Sequence, residues 1–143
     1  MVLKLKIMLK KIIGTFQLLG GLWGVLAFSG EAIKGKYIVL IGIPFFLLSM
    51  WAGQALLFNK KNARITTFVN QALQIIKIKV FGIVFYYCSG IGLYVNIGKT
   101  SAGMSSNFGG GFMVGTINTT PGIISINLIA ILIIILMIKY KIK

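Results

Sequence analysis

The 143-residue chain is 57% hydrophobic and only 11% charged, with fifteen basic residues against one acid, too few charged groups to clothe a soluble domain of this size. With no histidine, one carboxylate (Glu31) and one thiol (Cys88), it lacks an imidazole base, a carboxylate pair, a cysteine zinc set and an intramolecular disulfide. Those counts argue against an enzyme, call for no cofactor or metal, and leave an all-α integral membrane protein as the expected class.

In chain order, the first eleven residues alternate Leu, Ile and Met with Lys4, Lys6, Lys10 and Lys11, a basic cap for contact with anionic headgroups. Span one follows over about 12–30. It carries Gly20 and Gly24, a small-residue pair four apart that lets a neighbouring helix backbone come close. Residues 1–31 also resemble a signal peptide, with Ala27-Phe28-Ser29 as a cleavage site. The apolar run is long for one, however, and a second span follows at once, so retention is expected. Span two, about 37–58, answers with Ser49 and Gly53. The short connection makes the two spans antiparallel, and Gln17 and Gln54 reach similar depth, so a hydrogen bond across a Gly/Ser-lined interface is expected. Pro44 predicts a kink near 40–44.

Over 65–79, Ile65, Phe68, Val69, Ala72, Leu73 and Ile76 recur at helical spacing, with Thr66, Thr67, Asn70, Gln71 and Gln74 opposite. This predicts a cytoplasmic amphipathic helix leading into span three. It either lies in the interface, the favoured placement, or extends the span towards a protein partner. Span three is expected at about 80–98, with Tyr86 and Tyr87 near mid-membrane finding hydroxyl partners inside the protein and Cys88 acting as a small hydrophobe. The segment 99–122 is rich in Gly, Ser, Thr and Asn. Strand-forming residues at 93–97 and 112–117 flank Gly109-Gly110-Gly111, which suggests a short β-hairpin, with a flexible linker as the other reading. Asn118-Thr119-Thr120 matches a glycosylation acceptor, a weak motif, and Pro121 suits the first turn of span four, about 123–138.

This single four-helix domain orients itself. With both termini cytoplasmic, twelve basic residues fall inside, among them Lys60, Lys61, Arg64, Lys77 and Lys79, and only Lys34, Lys36 and Lys99 fall outside. Those five inner cations offer a surface for anionic lipid or a membrane-protein partner, with no specific nucleic-acid binding expected. Glu31, Asn96 and Asn127 reach the same outer level and form an expected polar cluster. A lysine-rich, Ile- and Asn-rich composition suggests AT-rich coding and a bacterial plasma membrane.

Function follows largely by exclusion: a small non-catalytic multi-pass protein serving as an accessory or assembly subunit of a larger membrane complex. The alternative is a small exporter in which Glu31 couples proton exchange to a cationic substrate. Against it, Glu31 stands at the outer edge of span one, within helical reach of Lys34, and no inverted repeat is visible. A self-assembled pore would need a polar face at regular spacing, which the spans lack.

Overall fold

The computed structural model describes residues 2–33, 37–80, 83–98, 102–116 and 122–142. It overturns the all-α, four-span expectation: four helices accompany a four-stranded antiparallel sheet. Among the described residues, two segments are helical, apolar and long enough to cross a membrane, Leu3–Ile33 and Leu40–Leu57. The first is helix α1 (Val2–Ile33). The second joins a 3-10 turn, Tyr37–Gly42, to helix α2 (Ile43–Leu57). Pro44 sits in the first turn of α2, where its missing N–H leaves no bond unmade, so it starts a helix and does not kink one.

The remaining expected spans fail for separate reasons. Residues 80–98 fall mostly in strand β2 (Ile83–Gly98), preceded by β1 (Ile76–Val80), and β2 pairs along its whole length with β3 (Ala102–Thr116). The run Ile83-Val84-Phe85-Tyr86-Tyr87 is β-branched and aromatic, a composition that prefers a pleated surface to a helix. Within 123–138, residues Ile123–Asn127 form strand β4 and only Leu128–Lys139 form helix α4. Twelve helical residues reach about 18 Å, well short of a ~30 Å hydrocarbon core. The amphipathic segment 65–79 is helical only as α3 (Ala63–Ile75) before it turns into β1. In the β2–β3 hairpin, Gly109-Gly110-Gly111 lie inside a strand and not at the turn.

β2 is folded over at its middle. Gly90 (φ +97°) pairs with Gly109 (φ +99°), so both strands bend at one level through conformations that side-chain-bearing residues avoid. The first half of β2 therefore meets β1 (Val84 opposite Lys79) while the second meets β4 (Ile97 opposite Ile124), and β4 in turn pairs with β1. Both edges of β1 and β4 are engaged. Among the described strands, β3 pairs on one edge only, whereas β2 lacks a strand partner over Tyr86–Leu93 on its other edge, where Gln74 and Asn127 side chains accept from the Ser89 and Leu93 N–H groups.

α1 packs on α2 and on the bend: a Cβ at Gly24 would overlap the Phe46 ring, and one at Gly20 would come within 2.6 Å of Gly90 Cα. Phe28, Phe45, Phe46, Tyr87 and Phe112 form a continuous aromatic cluster at this level, with centroids 5.0–6.3 Å apart. At the opposite end, Ile13, Ala55, Leu56, Ala63, Met137 and Ile142 make the apolar core. α3 is turned inside out relative to a soluble helix. Thr67 and Asn70 are fully buried, whereas Ile65 is 68% and Phe68 45% exposed. Lys34, Lys36, Lys99, Lys143, the acceptor motif at 118–120 and Pro121 lie outside the described residues.

Candidate functional site

The faces of β2 build two polar clusters, because successive side chains point to opposite sides. Odd-numbered Tyr87 and Ser89 face the helices. Ser49 of α2 is the hub: its Oγ donates to the Gln17 carbonyl (2.9 Å) and accepts from Asn70 Nδ2 (3.2 Å) and Ser89 Oγ (2.7 Å). The Tyr87 hydroxyl lies 2.8 Å from Asn70 Oδ1 and 2.7 Å from the Phe45 carbonyl, both available to accept its proton. Gln74 Oε1 accepts from the Ser89 backbone N–H (3.0 Å). This network ties α1, α2, α3 and β2 together. Burial pushes the Tyr87 phenol further above its ordinary range, so the network holds no group that changes charge near neutral pH. Its chemistry is structural.

The expected helix interface divides around this hub. Gly53 packs against the Gly14 carbonyl and Leu18, and Gly24 against Phe46, so both serve the α1–α2 contact. Gly20 serves the contact with β2 instead. Gln17 is buried and accepts from Thr67 (3.5 Å), while Gln54 is exposed and accepts from Lys60 (3.4 Å); the two glutamines are not partners.

Even-numbered Tyr86, Cys88 and Tyr94 occupy the concave side of the folded strand. The Tyr86 and Tyr94 rings stand 5.9 Å apart, and Asn107 Nδ2 donates to the Tyr86 hydroxyl. Lys77 Nζ sits over both rings, 4.8 Å and 5.9 Å from their centroids, within range of cation–π attraction. Burial raises the Cys88 thiol pKa, which keeps it protonated and a poor nucleophile. Beside this cluster, Lys77, Lys79, Asn96, Ser105 and Ser125 line a pocket of about 440 Å³.

The five expected surface cations thus separate into two groups. Lys60, Lys61 and Arg64 join Lys10 around a cleft of about 790 Å³ floored by Ile65 and Phe68, with Lys10 Nζ donating to Asn59 Oδ1. Lys77 and Lys79 belong to the sheet. The expected outer cluster also divides. Asn96 and Asn127 lie on adjacent paired strands, but Asn127 is fully buried as the cap of α4, its Oδ1 accepting from Ile129, Ala130 and Leu93 N–H groups. Glu31 is half-buried in the last turns of α1.

Sequence reasoning missed the roles of Asn70, Gln74 and Ser89 in the network and the association of Lys77 with Tyr86 and Tyr94. The helical spacing of Thr67, Asn70, Gln71 and Gln74 did carry a signal, a polar stripe too long to be incidental. No protein-family model, curated protein or solved structure matches the chain.

Proposed function

We propose that the chain is a small, non-catalytic protein of a bacterial plasma membrane that serves as an accessory or assembly subunit, joined to a larger complex through the open edge of β3. The observation that carries this reading is the edge itself. β3 runs fifteen residues, Ala102–Thr116, without a charge or a proline, and it exposes Met104, Phe108, Met113 and Val114. Lone proteins blunt such an edge with lysines, prolines or bulges, because its unpaired N–H and C=O groups recruit other strands. Within hydrocarbon each unsatisfied backbone group would cost several kcal/mol. An extended segment added to β3 satisfies them.

Membrane insertion is supported by the polarity of the packing. α3 buries amides and hydroxyls and turns Ile65, Phe68 and Val69 outward, and α4 exposes Leu132, Ile135 and Ile138. That arrangement is costly in water and favourable in lipid. Orientation is supported by the gathering of Lys10, Lys60, Lys61 and Arg64 at one end, where Ile142, next to Lys141 in the chain, also packs into the core. A cytoplasmic placement of this end follows the positive-inside bias and brings anionic headgroups to the cleft. A partner with acidic residues suits the edge better than a second copy, since a homodimer would join two chains of formal charge +14.

The test is purification of the tagged protein from native membranes in mild detergent, beside a Met104→Lys/Phe108→Lys variant. Wild type should co-purify in fixed stoichiometry with one complex, β3 cysteines should cross-link to it, and the charged edge should abolish both while circular dichroism stays unchanged. Recovery alone or only as a homo-oligomer refutes the accessory reading. Glu31-dependent cation flux in proteoliposomes would replace it with transport.

A further inference from the structure

We propose that the pocket on the sheet binds a phosphate-bearing group, held by Lys77, Lys79 and Ser125 with Asn96 and Ser105 at its rim. The strand register assembles it: Lys77 of β1 stands opposite Ser125 of β4, Ser125 opposite Asn96 of β2, and Asn96 opposite Gly103 of β3, one row across all four strands. Lys79 lies two residues beyond Lys77 and so points to the same face, its Cα about 6.6 Å away at ~3.3 Å per residue. Like charges neighbouring on one sheet face repel, which an anion between them offsets, and no carboxylate lines the pocket. The chain's one acid is on α1.

A second, independent observation points to a ligand. Ser125 is fully buried, lines this pocket, and its Oγ has no hydrogen-bond partner. Buried hydroxyls are normally satisfied, and the residue with the unmet one lines the pocket together with two lysines. Lys77 is held in place over the Tyr86 and Tyr94 rings, so little side-chain freedom remains to be lost on binding. Asn96 Nδ2 donates to Ser105 Oγ (3.0 Å), which fixes that rim. Two cations and a hydroxyl donor with no acid match a group with several anionic oxygens, and phosphate supplies three or four. The volume of about 440 Å³ leaves room for an organic substituent on the phosphate. A phospholipid headgroup and free inorganic phosphate share this chemistry. The site requires no other protein, so it stands or falls separately from the accessory-subunit reading.

The experiment titrates the full-length protein, in phosphate-free zwitterionic micelles, with dihexanoyl phosphatidic acid and with inorganic phosphate by isothermal calorimetry. Saturable 1:1 binding is expected, reduced at least about tenfold in Lys77→Gln/Lys79→Gln and about tenfold in Ser125→Ala, the loss typical of one hydrogen bond to a charged group. It should be unchanged in Lys60→Gln/Lys61→Gln, with matched circular dichroism throughout. Saturation by phosphatidic acid alone identifies a lipid headgroup, and equal saturation by both probes identifies free phosphate. Absence of saturable binding overturns the proposal. So does loss in the lysine variant with none in folded Ser125→Ala, since attraction to bare surface charge would behave that way.

Discussion

Replacing Ser49 with alanine should destabilise the protein more than any other single hydroxyl deletion. The side chain is fully buried and engages three groups: the Gln17 carbonyl, Asn70 Nδ2 and Ser89 Oγ. Gln17's carbonyl lies within α1, so its loss matters little. Asn70 Nδ2 and Ser89 Oγ, by contrast, would lose the one bond shown for each and be left buried, at roughly 1–3 kcal/mol apiece on the scale for orphaned polar groups. Hydrogen bonds between membrane helices average nearer 0.6 kcal/mol because the unfolded chain also finds partners, and three of them amount to about 2 kcal/mol. The first route gives about 2–6 kcal/mol and the second about 2, so a cost of at least about 2 kcal/mol is expected. Asn70→Ala is a sharper comparison, since it removes two bonds yet leaves Ser49 bonded to Ser89 and Tyr87 bonded to Phe45, so about half the cost is expected. Reversible unfolding by sodium dodecyl sulfate in mixed micelles, followed by circular dichroism, measures both. If Ser49→Ala shifts stability no more than Ser105→Ala, an exposed serine, the hub assignment is refuted.

Other parts of the fold make separate predictions. Asn127→Ala should cost about 1–2 kcal/mol and fray the first turn of α4, because its Oδ1 caps Ile129 and Ala130 N–H groups; amide hydrogen exchange at those two residues reports it, and unchanged protection would sink the cap. Cys88 should react with maleimide at least about tenfold more slowly in the folded protein near neutral pH than in denaturing detergent, since it is buried and its thiol pKa is raised. Raising the pH towards ordinary thiol pKa values should speed the denatured form well before the folded one, and equal rates would contradict the packing.

The first half of this protein was largely legible in the order of its residues. Residues 12–30 and 37–58 were legible as apolar runs of bilayer-spanning length, and Gly24 and Gly53 as small residues suited to a helix contact. The helical period of 65–75 was legible too, because it depends only on spacing. What spacing could not decide was direction. Which face of α3 turns inward depends on what lies opposite, and the partners of Asn70, Ser49 and Tyr87, are 21 and 17 residues away in sequence, too far for any local pattern. The second half was decided by pairing. An unbroken apolar run over 80–98 has the same hydropathy whether helical or extended, and its Gly90 became a bend only because Gly109 stands opposite it. Asn127 carried a readable stop, the preference of Asn for helix caps, that would have shortened the fourth span. The phosphate pocket had no sequence signature. Lys77, Ser125 and Asn96 are neighbours through strand register alone, and register is a property of the folded sheet.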